Sequence, residues 1–174
     1  MEFKKAVDKD INNIMSIIKK AQQYFKEKNI DQWQNKYPNF QTIKNDIKNK
    51  NSYVLFKENK IIGTAVVIFE KEKNYEVIYD GEWISNGEYA TIHRIAIDSN
   101  YKGFGLGSVI IEGIEEICLN RGKTSVRVDT HIENLSMQKL LEKNKYRHCG
   151  TIYLEDGSKR IAFEKILREI TRFK

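Results

Sequence analysis

The chain has 174 residues, of which 40% are apolar, enough to bury the core of one ordinary domain and too many for a disordered chain. Thirty Lys and Arg face 24 Asp and Glu, a net charge of +6. The two signs are interspersed and no basic cluster interleaves with aromatics, so the composition argues against a nucleic-acid-binding domain, and the charge reads mostly as a solvated surface with steering of an anionic cofactor as a secondary effect.

Residues 3–7 alternate weakly and predict a first strand. Asp8 or Asp10 can cap a following helix, whose stripe is Ile11, Ile14, Met15, Ile18, Ala21 and Phe25. A break across 29–38 holds the single proline. Phe40, Ile43 and Ile47 predict a short helix over Phe40–Lys48, and residues 53–56 and 61–69 a hairpin around Glu58 and Asn59. Residues 75–78 read as a weaker strand. A loop punctuated by Gly81 and Gly87 carries Glu82 and Trp83, and residues 91–97 form a strong strand.

After a glycine-rich turn over 103–107, the stripe Ile110, Ile114, Ile117 and Cys118 predicts a helix closed by Gly122. Residues 125–130 alternate as a strand. Asn134 can cap a helix holding Met137, Leu140 and Leu141, and residues 146–154 and 160–164 close the domain as strands. The tail after Ile166 fits a strand or a short helix. With no linker and no repeat, residues 1–174 read as one domain, an α/β mixed sheet with helices on both faces.

No apolar run reaches the roughly 18–20 residues of a spanning helix, and residues 1–10 lack a signal-peptide core, so a cytoplasmic protein with no membrane partner is expected. Cys118 and Cys149 make neither a disulfide framework nor a zinc pattern. Three scattered histidines, at 93, 131 and 148, show no metal spacing, so no metal is expected.

The informative segment is His93-Arg94-Ile95-Ala96-Ile97-Asp98-Ser99-Asn100-Tyr101-Lys102-Gly103-Phe104-Gly105-Leu106-Gly107-Ser108. A strand leads into a glycine turn and then a helix. Glycines let the backbone turn tightly and present its N–H groups, and the helix adds unpaired amides and the positive end of its dipole, together a socket for a pyrophosphate. A tight turn with no ligand is the plainer reading of the glycines alone. The lysine of a P-loop is absent, and the spacing is not that of a dinucleotide-binding fingerprint.

This segment resembles the acetyl-CoA motif of the GNAT superfamily, Arg/Gln-x-x-Gly-x-Gly/Ala between a strand and a helix. Lys102 stands at the Arg/Gln position, Gly105 and Gly107 at the glycine positions. Downstream, residues 134–146 (NLSMQKLLEKNKY) are similar to the family's second segment at Asn134, Leu140, Glu142 and Lys143, with Tyr146 replacing Phe. The resemblance covers roughly residues 50 to 165.

It implies a fold whose central parallel strands, here 91–97 and 125–130, splay apart around the pantetheine arm of acetyl-CoA. Main-chain groups across Ile95, Ala96 and Ile97 would meet that arm, Asn134 would hydrogen-bond it, and the amides of residues 102–108 would hold the pyrophosphate. It also implies direct transfer of the acetyl group to an amine, without an acyl-enzyme.

The family often places a tyrosine acid seven residues after the asparagine. That position is Leu141 here, so Tyr153 on a following strand is the substitute, against a ring that only packs. Base candidates are His93, Glu82, Asp129 and His131. An imidazole, which ordinarily titrates near 6.5, suits a base at neutral pH. The alternatives are a hydrogen-bonded sheet histidine at 93 and a structural Asp129–His131 pair. Glu82 can hold a cationic amine beside Trp83, with His131 and Trp33 also facing the acceptor and Trp33 and Tyr37 forming a lid. Trp83 can instead simply pack. The expected acceptor is a small-molecule amine or a peptide, and a homodimer is left open. The rival reading is a non-catalytic acyl-CoA-binding module, for which Leu141 speaks.

Overall fold

Isoleucines three and four residues apart give the first long helix its buried side. In the computed structural model, which describes residues 1–167, helix α1 (Ile11–Glu27) buries Ile11, Ile14, Ile17, Ile18 and Phe25. Ile17 extends the predicted stripe, whereas Met15 and Ala21 are only partly covered. The described residues fall into two units, Met1–Ile68 with Ile92–Ile111, and Phe69–Thr91 with the residues from Glu112 onward.

In the first unit the strand order is β1 (Glu2–Lys5), β2 (Ser52–Lys57), β3 (Lys60–Ile68) and β4 (Tyr89–Ile97), whose first residues belong to the second unit. Strand β1 starts and ends earlier than predicted and pairs antiparallel with β2, Glu2 opposite Phe56. Strands β2 and β3 form the expected hairpin, with Glu58 (φ 48°) and Asn59 (φ 62°) in the left-handed region that a two-residue turn of this hand needs. Helix α2 (Phe40–Lys48) has the predicted bounds, capped by the Asn39 side chain, which accepts from Thr42 N–H at 3.0 Å. Phe40 is exposed rather than buried, because it opens the helix beside its cap. Ile14, Ile17 and Ile18 pack with Ile43, Ile47, Val54 and Ala96, each isoleucine or valine side chain contributing about 1.5–3 kcal/mol.

Neither Asp8 nor Asp10 caps α1 by its side chain. They lie in a 3-10 turn, and Asp10, itself buried, takes its hydrogen bond from Val7 N–H at 3.0 Å.

In the second unit β5 (Ser125–Thr130), β7 (Lys159–Ile166) and β6 (Arg147–Tyr153) lie side by side, antiparallel, in that order. Residues 75–78 are not a strand. Tyr75 ends a 3-10 turn and packs with Ile78 into an apolar cluster, so this segment buries side chains instead of extending a ladder, and pairing is confined to Tyr79 opposite Thr151.

Helix α3 (Leu106–Asn120) follows the glycine turn and is closed by Gly122 at φ 71°. Helix α4 (Leu135–Lys143) begins at Asn134. Leu167 N–H donates to Thr124 C=O, while the remainder of the tail, 168–174, lies outside the described residues. No helix among the described residues is long and apolar enough to cross a membrane.

Candidate functional site

Strand β4 delivers the chain to the glycine turn. A short turn, Ser99–Tyr101, intervenes, opened by Asp98, whose Oδ1 accepts from Asn100 N–H at 2.9 Å. Asp98 Oδ2 pairs with Lys20 Nζ of α1 at 2.8 Å. Gly103 (φ 86°) and Gly105 (φ 74°) then take left-handed conformations that other residues rarely adopt. A Cβ on either would meet nothing within 4 Å, so both project into open space.

The donors at this turn are fewer than the motif suggests. Lys102 N–H donates to Ser99 C=O and Ser108 N–H to Gly105 C=O. A helix beginning at Leu106 leaves the amides around its first residues unpaired, so Gly105, Leu106 and Gly107 are the donors best placed for an anion. Lys102 turns its ammonium onto the Tyr24 ring, 3.7 Å from its centre. Phe104, between the two glycines, is 75% exposed.

Within β4, Arg94 has φ 50°. A left-handed residue interrupts the two-residue alternation of a strand. Strand alternation therefore does not place His93 on one face with Ile95 and Ile97. His93 is half-buried and lies near enough to Asp46 in α2 to favour the charged form of its carboxyl. Arg94 reaches Asp46 with two hydrogen bonds and donates a third, from Nη1, to Tyr37 Oη at 2.6 Å. Tyr37 is thereby tied to β4. Trp33, at φ 57°, packs edge-on against Phe25 with ring centres 5.6 Å apart. Neither Asp46 nor the special backbone of Arg94 had a signal in the sequence.

The second unit holds the other candidates. Trp83 packs down: its Nε1 donates to Tyr75 C=O at 2.9 Å, and its ring centre lies 5.1 Å from that of Tyr75. The Arg127 guanidinium lies against both Trp83 and Tyr89, 4.2 and 4.1 Å from the ring centres. Arg127 Nε also donates to the fully buried Glu164, which accepts from Ile84 N–H, Ser85 N–H and the hydroxyls of Ser85 and Ser125. Glu82, beside Trp83, is exposed.

Asp129 and His131 do not form the anticipated pair; each has its own partner. Asp129 Oδ1 accepts from Tyr75 Oη at 2.6 Å, whereas His131, in the turn beyond β5, accepts at Nδ1 from Glu133 N–H at 3.2 Å. Tyr153 is 45% exposed and stands edge-on to Tyr79. Asn134 is buried and its Oδ1 caps α4, accepting from Met137 N–H at 3.2 Å. Leu141 is fully buried, so its position in α4 faces the core.

Burial pushes the Cys118 thiol up to about 12 and raises that of Cys149 as well, the direction of inert thiols. Among the described residues no group of three or more His, Cys, Asp or Glu converges as a metal site would require.

Residues 15–146 match the model of the acetyltransferase (GNAT) family. The chain belongs to that family. Family membership makes acetyl-CoA the acyl donor and an amine the acceptor class.

A GNAT-family acetyltransferase from Streptococcus agalactiae 2603 has a crystal structure similar over 97% of this chain and 96% of its own, at 33% identity and a TM-score of 0.89. The mixed sheet of seven strands with four helices is thus the GNAT fold. The ribosomal-protein-alanine N-acetyltransferase of Brucella melitensis shares that fold at 16% identity, covering 96% of this chain and 100% of its own, with a TM-score of 0.71. The uncharacterized protein YyaT of Bacillus subtilis (strain 168) is 31% identical over 86 residues, 49% of this chain and 56% of that relative, so the match spans just over half of the relative's length.

Proposed function

We propose that the chain acts as a single acetyltransferase domain, a cytoplasmic enzyme that moves the acetyl group of acetyl-CoA to the primary amine of a small molecule by direct attack. The amine nitrogen forms the new bond to the carbonyl carbon, the thioester C–S bond breaks, the amine loses a proton to a base, and the leaving thiolate takes one from an acid. The observation that carries this reading is the turn at Gly103 and Gly105. It is open above both glycines and runs into the N-terminus of α3, which suits the two negative charges of a pyrophosphate.

The residues divide by task. The backbone amides within 102–108 hold the pyrophosphate, with Gly105, Leu106 and Gly107 as principal donors. Main-chain groups of Ile95, Ala96 and Ile97 and the side chain of Asn134 meet the pantetheine arm. A strand amide polarises the thioester carbonyl, an effect of about 2.7–4 kcal/mol in other enzymes.

His93 is the preferred base, being half-buried in the strand that leads to the turn. Glu82 is the alternative, and Tyr153, whose hydroxyl belongs to an exposed ring, is the acid. A base of this kind contributes about 10²- to 10⁴-fold.

Calorimetric titration with CoA, followed by a panel of amines read by thiol release from acetyl-CoA, tests the reading. Binding of CoA with thiol release for one or more small amines is expected. Absence of CoA binding would sink it, and release only with peptides would move the acceptor to that class. The buried Leu141 favours one rival, a non-catalytic acyl-CoA-binding module, which thiol release with any amine excludes.

A further inference from the structure

Three residues of β5, Ser125, Arg127 and Asp129, alternate onto one face, and each meets the segment that precedes β4. Ser125 reaches Ser85 at 3.3 Å, Arg127 reaches Ser85 C=O at 2.5 Å, and Asp129 meets Tyr75 at 2.6 Å. The first two are closed off around the buried Glu164. Asp129 differs. It lies one residue from the end of the strand and is half-buried, and only Oδ1 is engaged among the described residues.

Tyr75 is 2% exposed and packs with Ile152 and Ala162, with Ile78, Trp83 and Leu154 around them. Ala162 is also the partner of Asp129 across the β5–β7 ladder. The carboxylate therefore stands at the rim of an apolar cluster, its rotamer fixed by a buried phenol. Burial, and then the charge of Asp129, push the Tyr75 hydroxyl well above its ordinary range, so it remains a donor at any working pH.

A tie between Tyr75 and β5 does not require a charge. Asparagine would accept the same hydrogen bond without the cost of a half-buried anion. A carboxylate with one oxygen held and the other unengaged is instead suited to an ammonium group.

We propose that Asp129 anchors the cationic amine of the acceptor, whose apolar body lies along the half-buried rim of the Tyr75 cluster, Ile78, Trp83 and Leu154, and that Tyr75 is the positioning residue that holds the carboxylate for it. The proposal rests on the acetyltransferase reading and deepens it by naming the acceptor's chemistry, an ammonium attached to an apolar group. It also takes Asp129 out of the list of bases.

The test uses the full chain saturated with CoA, so that no turnover intervenes, titrated with benzylamine and with its neutral counterpart benzyl alcohol. Benzylamine is expected to bind more tightly by about tenfold, the scale of a charge-assisted hydrogen bond. Asp129→Asn is expected to erase that preference while Tm does not fall and CoA affinity stays unchanged, because Asn still accepts from Tyr75 and removes a half-buried charge. Tyr75→Phe is expected to weaken benzylamine about three- to tenfold, again with CoA affinity unchanged. Equal binding of amine and alcohol to the wild type, no binding of benzylamine, or a preference that survives Asp129→Asn would overturn the proposal. Failure of the initial CoA titration would overturn the acetyltransferase reading itself, and is told apart by that step.

Discussion

Arg94 grips Asp46 from a left-handed backbone: Nε lies 2.8 Å from Oδ2, Nη2 lies 2.7 Å from Oδ1, and Arg94 sits at φ 50° in the middle of β4. The two side chains are only 10% and 12% exposed. Burial raises the Asp46 carboxyl and outweighs the opposing pull of Arg94. The pair fixes α2 to β4 one residue from His93, and Arg94 also holds Tyr37.

Removing Arg94 separates two costs. Arg94→Ala leaves Asp46 buried without its partner, a loss of about 3–5 kcal/mol, and keeps a Cβ at a left-handed position. Arg94→Gly breaks the same pair but relieves the backbone, so it should be the more stable of the two by about 1 kcal/mol. Urea unfolding of both variants measures the difference. If the alanine variant proves as stable as the glycine variant, Arg94 carries no such strain.

The turn at 102–108 predicts a loss of cofactor. Gly105→Glu places a side chain at φ 74° and aims it into the open space above the turn. It adds about 1–2 kcal/mol of backbone strain and a negative charge where the phosphates are proposed to sit. CoA affinity should fall by about 10²-fold or more, while unfolding stability falls only by the strain. Unchanged affinity in calorimetry would remove the turn from the site.

These two positions show what the sequence made legible. Gly103 and Gly105 announce a turn because glycine is the residue such backbones demand, and the strand before and helix after declare themselves by periods of two and 3.6. The bounds of α2 and β5 were readable for the same local reason. Arg94 was not, since arginine carries no signal for a left-handed conformation; what holds it there includes Asp46, 48 residues away. Tyr75 and Asp129 are 54 residues apart, and Arg127 and Glu164 are 37 apart. Their chemistry was visible residue by residue, but the pairing comes from the sheet register and from burial. Residues 75–78 read as a strand because Tyr, Val and Ile favour strands; the apolar cluster claimed two of the three.

Acid stability should report on Asp98. Burial pushes its carboxyl up, but the hydrogen bonds from Lys20 and Asn100 outweigh it and hold it below 3.8. A depressed carboxyl stabilises the fold above its unfolded value and loses that contribution as pH falls through the lower, folded value. Wild type should therefore lose stability from this source below about pH 5, progressively toward pH 2. Asp98→Asn should be less stable at pH 7 by about 0.2–1 kcal/mol, with a shallower acid limb. The measurement is the wild-type-minus-variant difference in unfolding free energy across that range. A difference that stays constant with pH would show that Lys20 and Asp98 do not interact in solution.

His93 separates catalysis from binding. It is half-buried in β4, two residues before Ile95, where the pantetheine contact is proposed. The two hydrogen bonds of the neighbouring Arg94–Asp46 clamp are donated by Arg94, and His93 adds to it only a weaker electrostatic contact with Asp46. His93→Ala should thus leave the Arg94–Asp46 pair and the glycine turn intact. CoA affinity should be unchanged within about twofold. Turnover should fall by about 10²-fold or more, the contribution of a positioned base. His93→Gln, which keeps a polar group of similar reach but cannot take the proton, should be nearly as slow. Stopped-time thiol release at saturating amine, alongside CoA calorimetry, checks both quantities. Turnover equal to wild type would pass the role of base to Glu82, and a parallel collapse of CoA affinity would show His93 to be structural.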